Sequence, residues 1–486
     1  MPLSSSSMAS VHLLVLIHGM WGHPGHLSEL KRIISEAYSS SSDGPQLEVL
    51  MAETNRENST YDGIDWGGER VAQEVIEKVD EIEKDGKTVL KFSVTGYSLG
   101  GLIARYVIGI LRQKGFFNKI APVNFNTIAT PHIGLPRYPS FISTFTSSLG
   151  AKLLSRTGEQ FYLVDKWSAT GRPLIEVMAD PDEDRIFQQA LRQFEQIRIY
   201  ANAIHDMTVP YVTSAIEIED PFALCSWHSS SSHAEANHVI AGMVSHPQTH
   251  AATSTTCPSV ALSAEYCTPF IPPNARRQLI SHWEVLYSLL PVIIPVTVSL
   301  AVVHFSLAAR SSRARIRLLE EDESRGQKLI NILADLEDEV EHAVVDLIID
   351  NPADSQPTSS SSFQITEGKS SPQPVQNEAI ILNEVDMVEE GATTPDTSST
   401  VRTPSASSAL ITDKKRKQHP REQPILSPLQ HKIAGWLNQL PLRKELAYFP
   451  DVRNAHALIV CRDVKRFEAH RRGEGIIRHW AASFIL

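Results

Sequence analysis

Among 486 residues there are only four cysteines, Cys225, Cys257, Cys267 and Cys461. So few, so scattered, exclude a disulfide framework and a Cys-x-x-Cys metal site, and they point to a reducing, cytosol-facing catalytic domain. Excess positive charge is missing too. The formal net charge is -11, which gives no reason to expect nucleic acid as a partner. The opening residues, MPLSSSSMAS, lack the basic n-region of a secretory leader, so no cleaved signal peptide is expected. Histidines at positions 228, 233, 238, 246 and 250 have no carboxylate or cysteine pattern beside them that would complete a metal site. Neither a metal nor a cofactor is expected.

What the chain does have is apolar material, 42% of its residues, enough for a sizeable core. Its organising stretch is Thr88-Val89-Leu90-Lys91-Phe92-Ser93-Val94, which reaches Gly96-Tyr97-Ser98-Leu99-Gly100 and then an apolar-periodic helix. Gly-x-Ser-x-Gly alone is weak evidence, because any glycine-rich strand-to-helix connection can carry it. Context strengthens it. A nucleophile elbow needs small residues around a serine held on a strained bend, and Gly96, Gly100 and Gly101 provide them.

Strand and helix patterns alternate on both sides of this stretch. Val11 to Ile17 reads as a buried strand ending in His18-Gly19-Met20-Trp21-Gly22, with a helix from about Leu27 to Tyr38. Leu47 to Met51 reads as a strand, about Gly67 to Lys84 as a helix, and Pro122 to Ile128 and Ile197 to Ala203 as strands, with a largely helical stretch from about Ser140 to Gln193 that could form a cap. The fold class expected is α/β, a mostly parallel sheet with helices on both faces.

If Ser98 is a nucleophile, its partners should follow in the order serine, acid, histidine. Asp206, just past the strand at 197–203, is the candidate acid, although a loop aspartate taken singly is most often a turn residue. His456, in a short loop after the last strand-like element, is the candidate base, with His470 and His479 as rivals in the closing helical region. His132 precedes the acid and reads as a structural or site-wall histidine. The backbone amides of Met20 and Leu99 are the candidate oxyanion donors.

Between Val285 and Ala309 there is no charged residue, a length able to cross a hydrocarbon core. Arginines flank it on both sides, and Pro291 and Pro295 lie inside it. A single crossing would part Ser98 from His456. A proline-broken, one-sided insertion is therefore the expectation, either dipping in and returning or lying along the surface. The domain plan read from the chain is a first hydrolase part at 11–216, a polar irregular insertion at 217–281, a membrane-associated segment at 282–310, a charged helix at 311–350, a Ser/Thr/Pro-rich disordered linker at 351–424 and a C-terminal hydrolase part at 425–486. The linker carries the basic cluster Lys414-Lys415-Arg416-Lys417.

Taken together, HGMWG, GYSLGG, ATPHIG, YANAIHDMTVP and NAHALIV resemble the fungal and plant serine esterase (lipase-like) family of α/β-hydrolases, over about Val11 to Ile216 and again from about Ile433 to Leu486. Yeast lipid-droplet phospholipase and monoacylglycerol lipase members belong to it. The resemblance implies a triad of Ser98, Asp206 and His456 acting on acylglycerol or phospholipid esters. With it come a membrane or lipid-droplet surface as partner and an endoplasmic reticulum or lipid-droplet location, with the catalytic domain facing the cytosol. Two other readings stay open from the residues: a soluble esterase or thioesterase acting on small esters, and a catalytically silent membrane-bound scaffold.

Overall fold

Parallel strands covered on both faces need near-continuous apolar runs, and β1 (Ser10–Ile17) is one, buried from Val11 onward. Its side chains divide by the two-residue period of a strand. Leu13, Val15 and Ile17 join one hydrophobic cluster, while Leu14 and Leu16 join another on the opposite face. The computed structural model describes residues 9–39, 44–182, 185–223, 243–244, 273–321, 423–449 and 452–486.

Around β1 the chain lays down α1 (Ser28–Tyr38), β2 (Gln46–Met51), α2 (Ile64–Lys84), β3 (Thr88–Tyr97), α3 (Leu99–Gln113) and β4 (Ala121–Ile128). Four helices follow, α4 (Phe141–Leu153), α5 (Ser155–Phe161), α6 (Leu174–Val177) and α7 (Ile186–Arg192), before β5 (Gln196–Asn202). A short α8 (Tyr211–Ser214) and β6 (Met243–Val244) lead to a long helix, α9 (Pro273–Glu321). The chain closes with α10 (Pro428–Leu437), β7 (Leu442–Ala447) and α11 (Glu474–Ala482).

The seven strands form one sheet in the order β2-β1-β3-β4-β5-β7-β6. All its pairs are parallel except β6 with β7. Helices α2 and α3 cover one face through Val71, Val75, Leu102 and Val107. On the other face α1 and α11 pack Leu30, Ile33 and Trp480. This is the expected α/β class, a mostly parallel sheet flanked by helices. Residues 442–447 complete it from the far end of the chain, placing β7 beside β5 in register from Ile197↔Leu442 to Asn202↔Ala447.

Three local expectations change. Helix α2 starts at Ile64 rather than about Gly67, because its first turn is held by polar burial that apolar periodicity does not register: Asp65 is fully buried against Arg156 and Gln160. The insertion expected to be irregular contributes β6 to the sheet edge. The third change concerns α9, which runs unbroken through Pro291, Pro295 and the expected boundary at 310. The two prolines stand four residues apart, so their rings and missing N–H groups fall on one strip of the helix rather than around it. Nearby, the Thr297 hydroxyl donates to the carbonyls of Ile293 and Ile294. The expected charged helix beyond Glu321, the linker before Gln423 and the five histidines from His228 to His250 lie outside the described residues.

Candidate active site

Strand β3 delivers Ser98 to a bend that its own backbone strains. Ser98 has φ 56° and ψ -124°, a conformation that costs about 1–3 kcal/mol and persists only where the surroundings hold it. What holds it is close packing. The Ser98 amide donates to the Ile128 carbonyl at 2.9 Å. A Cβ on Gly100 would collide with the Ile17 backbone, and one on Gly19 would lie 2.7 Å from the Ser98 Cβ. Glycine at 100 lets α3 start directly behind β1, and glycine at 19 lets the loop after β1 press against the serine.

His456 arrives from the loop after β7. Its position is set by three bonds: the Ala455 amide to the His205 carbonyl at 2.7 Å, the His456 amide to Asn454 Oδ1 at 3.1 Å, and the Tyr97 hydroxyl to the His456 carbonyl at 2.9 Å. The Tyr97 ring also packs on the imidazole, with centroids 5.1 Å apart. Asp206 follows β5 in a turn whose backbone it organises, accepting from the Thr208 and Val209 amides at 2.9 and 2.8 Å and from the Asn202 side chain at 2.7 Å.

These three residues, 358 and 250 positions apart in their two contacts, meet in space. His456 Nε2 lies 3.1 Å from Ser98 Oγ, and His456 Nδ1 lies 3.0 Å from Asp206 Oδ2. Ser98 is 6% exposed, His456 7% and the Asp206 side chain 1%. Burial by itself would raise the Asp206 carboxyl, but His456 beside it, with the Val209 and Asn202 hydrogen bonds, brings it below the usual carboxylate range. As a carboxylate Asp206 only accepts, so the proton sits on Nδ1 and Nε2 is free to accept from the Ser98 hydroxyl.

Met20 follows Gly19 in the loop that presses on Ser98, and Leu99 is the first residue of α3. The other candidate histidines, His132, His470 and His479, are engaged elsewhere. His132 is fully buried and bonds Thr127, with burial holding it well below the usual histidine range. His470 accepts from the Asp463 amide, and His479 bonds the Tyr200 hydroxyl. Beside Asp206 opens a cavity of about 500 Å³ walled by Tyr138, Asn202, Met207, Tyr211 and Arg453 among others. Among the described residues, no group of three or more His, Cys, Asp or Glu side chains is placed to hold a metal ion.

Tyr97, Asn202 and Asn454 are site residues that the motifs did not single out. Tyr97 lies inside the GYSLGG motif and Asn202 ends β5, so both were within reach of position-based reasoning. Asn454 bonds the His456 and Met207 amides and so joins the two loops, which no local pattern announces.

Residues 7–217 match the family described as putative serine esterase. Similar proteins include a putative lipase of Schizosaccharomyces pombe, 31% identical over 223 residues, which are 45% of this chain and 28% of that protein. The putative lipase ROG1 of Saccharomyces cerevisiae is 30% identical over 210 residues, 42% of this chain and 28% of that protein. The matched stretch thus spans little more than a quarter of either relative. Among solved structures, phospholipase PlaB from Legionella pneumophila overlaps at a TM-score of 0.27, with 13% identity over 42% of this chain and 41% of that one, a likeness that carries no argument here.

Proposed function

We propose that this chain is a serine lipase or esterase that hydrolyses the acyl ester bonds of acylglycerols or phospholipids, with Ser98 as nucleophile, His456 as general base and Asp206 as the group that orients the imidazole. The observation that carries this reading is the Ser98–His456–Asp206 contact chain at 3.1 and 3.0 Å. Ser98 Oγ attacks the ester carbonyl carbon while His456 Nε2 takes its proton. The resulting oxyanion is held by the amides of Met20 and Leu99. Collapse breaks the bond to the alcohol, which leaves with the proton returned from His456. Water, deprotonated by the same nitrogen, then attacks the acyl-enzyme and releases the carboxylic acid and free Ser98.

The lipid substrate class is supported by the names of the matched relatives and by the apolar segment of α9, one helix long and apolar enough to cross a membrane. In this reading the body works at an endoplasmic reticulum or lipid-droplet surface and faces the cytosol, with the hydrolase body drawn from residues 11–216 and 425–486.

The test is labelling by a fluorophosphonate probe, run beside a panel of acylglycerols and phospholipids. Labelling and lipid hydrolysis that both vanish in Ser98→Ala are the expected result. A folded wild-type protein that takes no label and turns over no ester would instead leave a silent scaffold. Hydrolysis confined to short soluble esters would replace lipid with small-ester substrates.

A further inference from the structure

Helix α9 has two unlike ends. From Pro291 to Leu307 it stands mostly clear of the body, with Val292, Ile294, Val296, Val298 and Leu300 each more than half exposed. At its other end Ala308, Ala309, Ser312 and Ile316 are buried. There Ser312 Oγ donates to Asp62 Oδ1 at 2.7 Å and Arg315 Nη2 reaches the same oxygen at 2.7 Å. Asp62, whose side chain is fully buried, also pairs with Arg70 at 3.0 Å. This is a built joint.

The residues just before Asp62 hold the loop beside Ser98. The Trp21 amide donates to Thr60 Oγ1 at 3.2 Å, and its indole Nε1 donates to the Tyr61 hydroxyl at 2.8 Å. The Trp21 ring, half exposed, stacks on Phe305 of α9 with centroids 5.9 Å apart and planes 20° apart. Residues 60–62 therefore bind the loop containing Met20 and the apolar helix at once.

The sides of α9 can be read without appeal to any catalytic assignment. Before it, β6 pairs with β7 in the sheet; after its apolar part, Ser312 and Arg315 sit on the body. Both flanks are thus on one side, and the apolar part between them must cross a membrane an even number of times. Between residues 245 and 312 the sequence holds one stretch that is both charge-free and predominantly apolar over a length able to cross, and α9 is a continuous helix with no turn in it. The even number is zero. Yet a stretch apolar on all sides is not stable in water, and Arg310 and Arg313, both exposed, stand where its apolar part ends, suited to headgroup phosphates.

We propose that α9 is a one-sided lipid-surface foot. It is immersed in a single phospholipid leaflet, and the Asp62 joint holds the Trp21 rim of the Ser98 loop at that leaflet. The occupant is a lipid surface, and the arrangement deepens the lipid-ester reading by naming how substrate is presented. An acyl chain leaving the leaflet beside Phe305 and Trp21 meets the Ser98 loop without crossing bulk water.

The experiment uses the full chain carrying Ser98→Ala, so its outcome is separate from whether the protein hydrolyses anything. It should float with phosphatidylcholine vesicles containing phosphatidylserine, and Ile294→Asp with Val298→Asp should abolish flotation; flotation that survives the pair overturns the foot. In sealed microsomes, epitope tags inserted after Cys257 and after Thr400 should both be cut by added protease. Protection of either tag would mean a crossing. With Trp283→Phe added, brominated phosphatidylcholine should quench tryptophan emission and Trp21→Phe should remove most of that quench. A quench indifferent to Trp21→Phe would place the rim away from the leaflet.

Discussion

Tyr97 touches His456 twice, through a hydroxyl bond to its carbonyl and through ring packing on the imidazole. Removing only the hydroxyl takes away one buried bond to a neutral carbonyl, worth about 1 kcal/mol. Tyr97→Phe is therefore expected to lower kcat about fivefold with KM little changed, since the loss falls on positioning and not on lipid binding. Asp206→Asn should do far more. The amide can donate to Nδ1 and select the wrong tautomer, the change that costs a factor of about 10⁴ in serine proteases. Steady-state kinetics on one ester substrate separate the two effects. The contact of Ser98, His456 and Asp206 joins three candidates legible in the sequence, Ser98 because strained serine bends need glycine around them, Asp206 and His456 because chain order and strand ends narrow the choices. Asn454 could not be read there, since the bonds by which it joins the His456 and Met207 loops have no local pattern.

Among the elements, the sheet was the legible part. β1, β2, β4 and β5 fall within a residue of the sequence reading, while β3 continues past the expected Val94 to Tyr97. Helix α9 was read less well, because proline content argued for a break and charge content argued for a boundary at 310. Neither governs the backbone when the docked end is fixed by specific polar contacts that composition cannot show. Asp62 is the centre of those contacts, and Asp62→Asn leaves Arg70 and Arg315 beside a buried neutral group. Breaking a buried pair costs about 3–5 kcal/mol, but both arginines reach solvent here, so about 2 kcal/mol is the better expectation. Thermal unfolding of the variant should show that loss. Hydrogen exchange should show residues 308–316 and the 57–62 turn losing protection together, whereas an unchanged α9 would mean that apolar packing alone holds it.

At the scale of the whole molecule, the core carries a pH signature. His12 is fully buried against Ser93, and burial, with Lys91 adding to it, lowers it to about 3. Burial likewise lowers His18 and His132. In the unfolded chain each takes a proton near pH 6.5, while the folded protein leaves it neutral, so the unfolded state binds more protons and stability falls as pH drops below 6.5. Asp165 works in the opposite sense. Burial raises its carboxyl to about 6, so it costs stability above that pH and the cost is relieved between about 6 and 3.8 as it protonates. Three histidines outweigh one carboxylate, so a net loss of stability is expected as pH falls from 6.5 to 5. Asp206, held below the usual range, adds its own loss only under pH 3.8. Thermal melts across pH 8 to 5 test the balance. Asp165→Asn, which keeps the acceptor for the Leu174 amide, should raise Tm at pH 8 and lose that advantage toward pH 4. A melting temperature flat from pH 8 to 5 would mean that these histidines open to solvent before the core does.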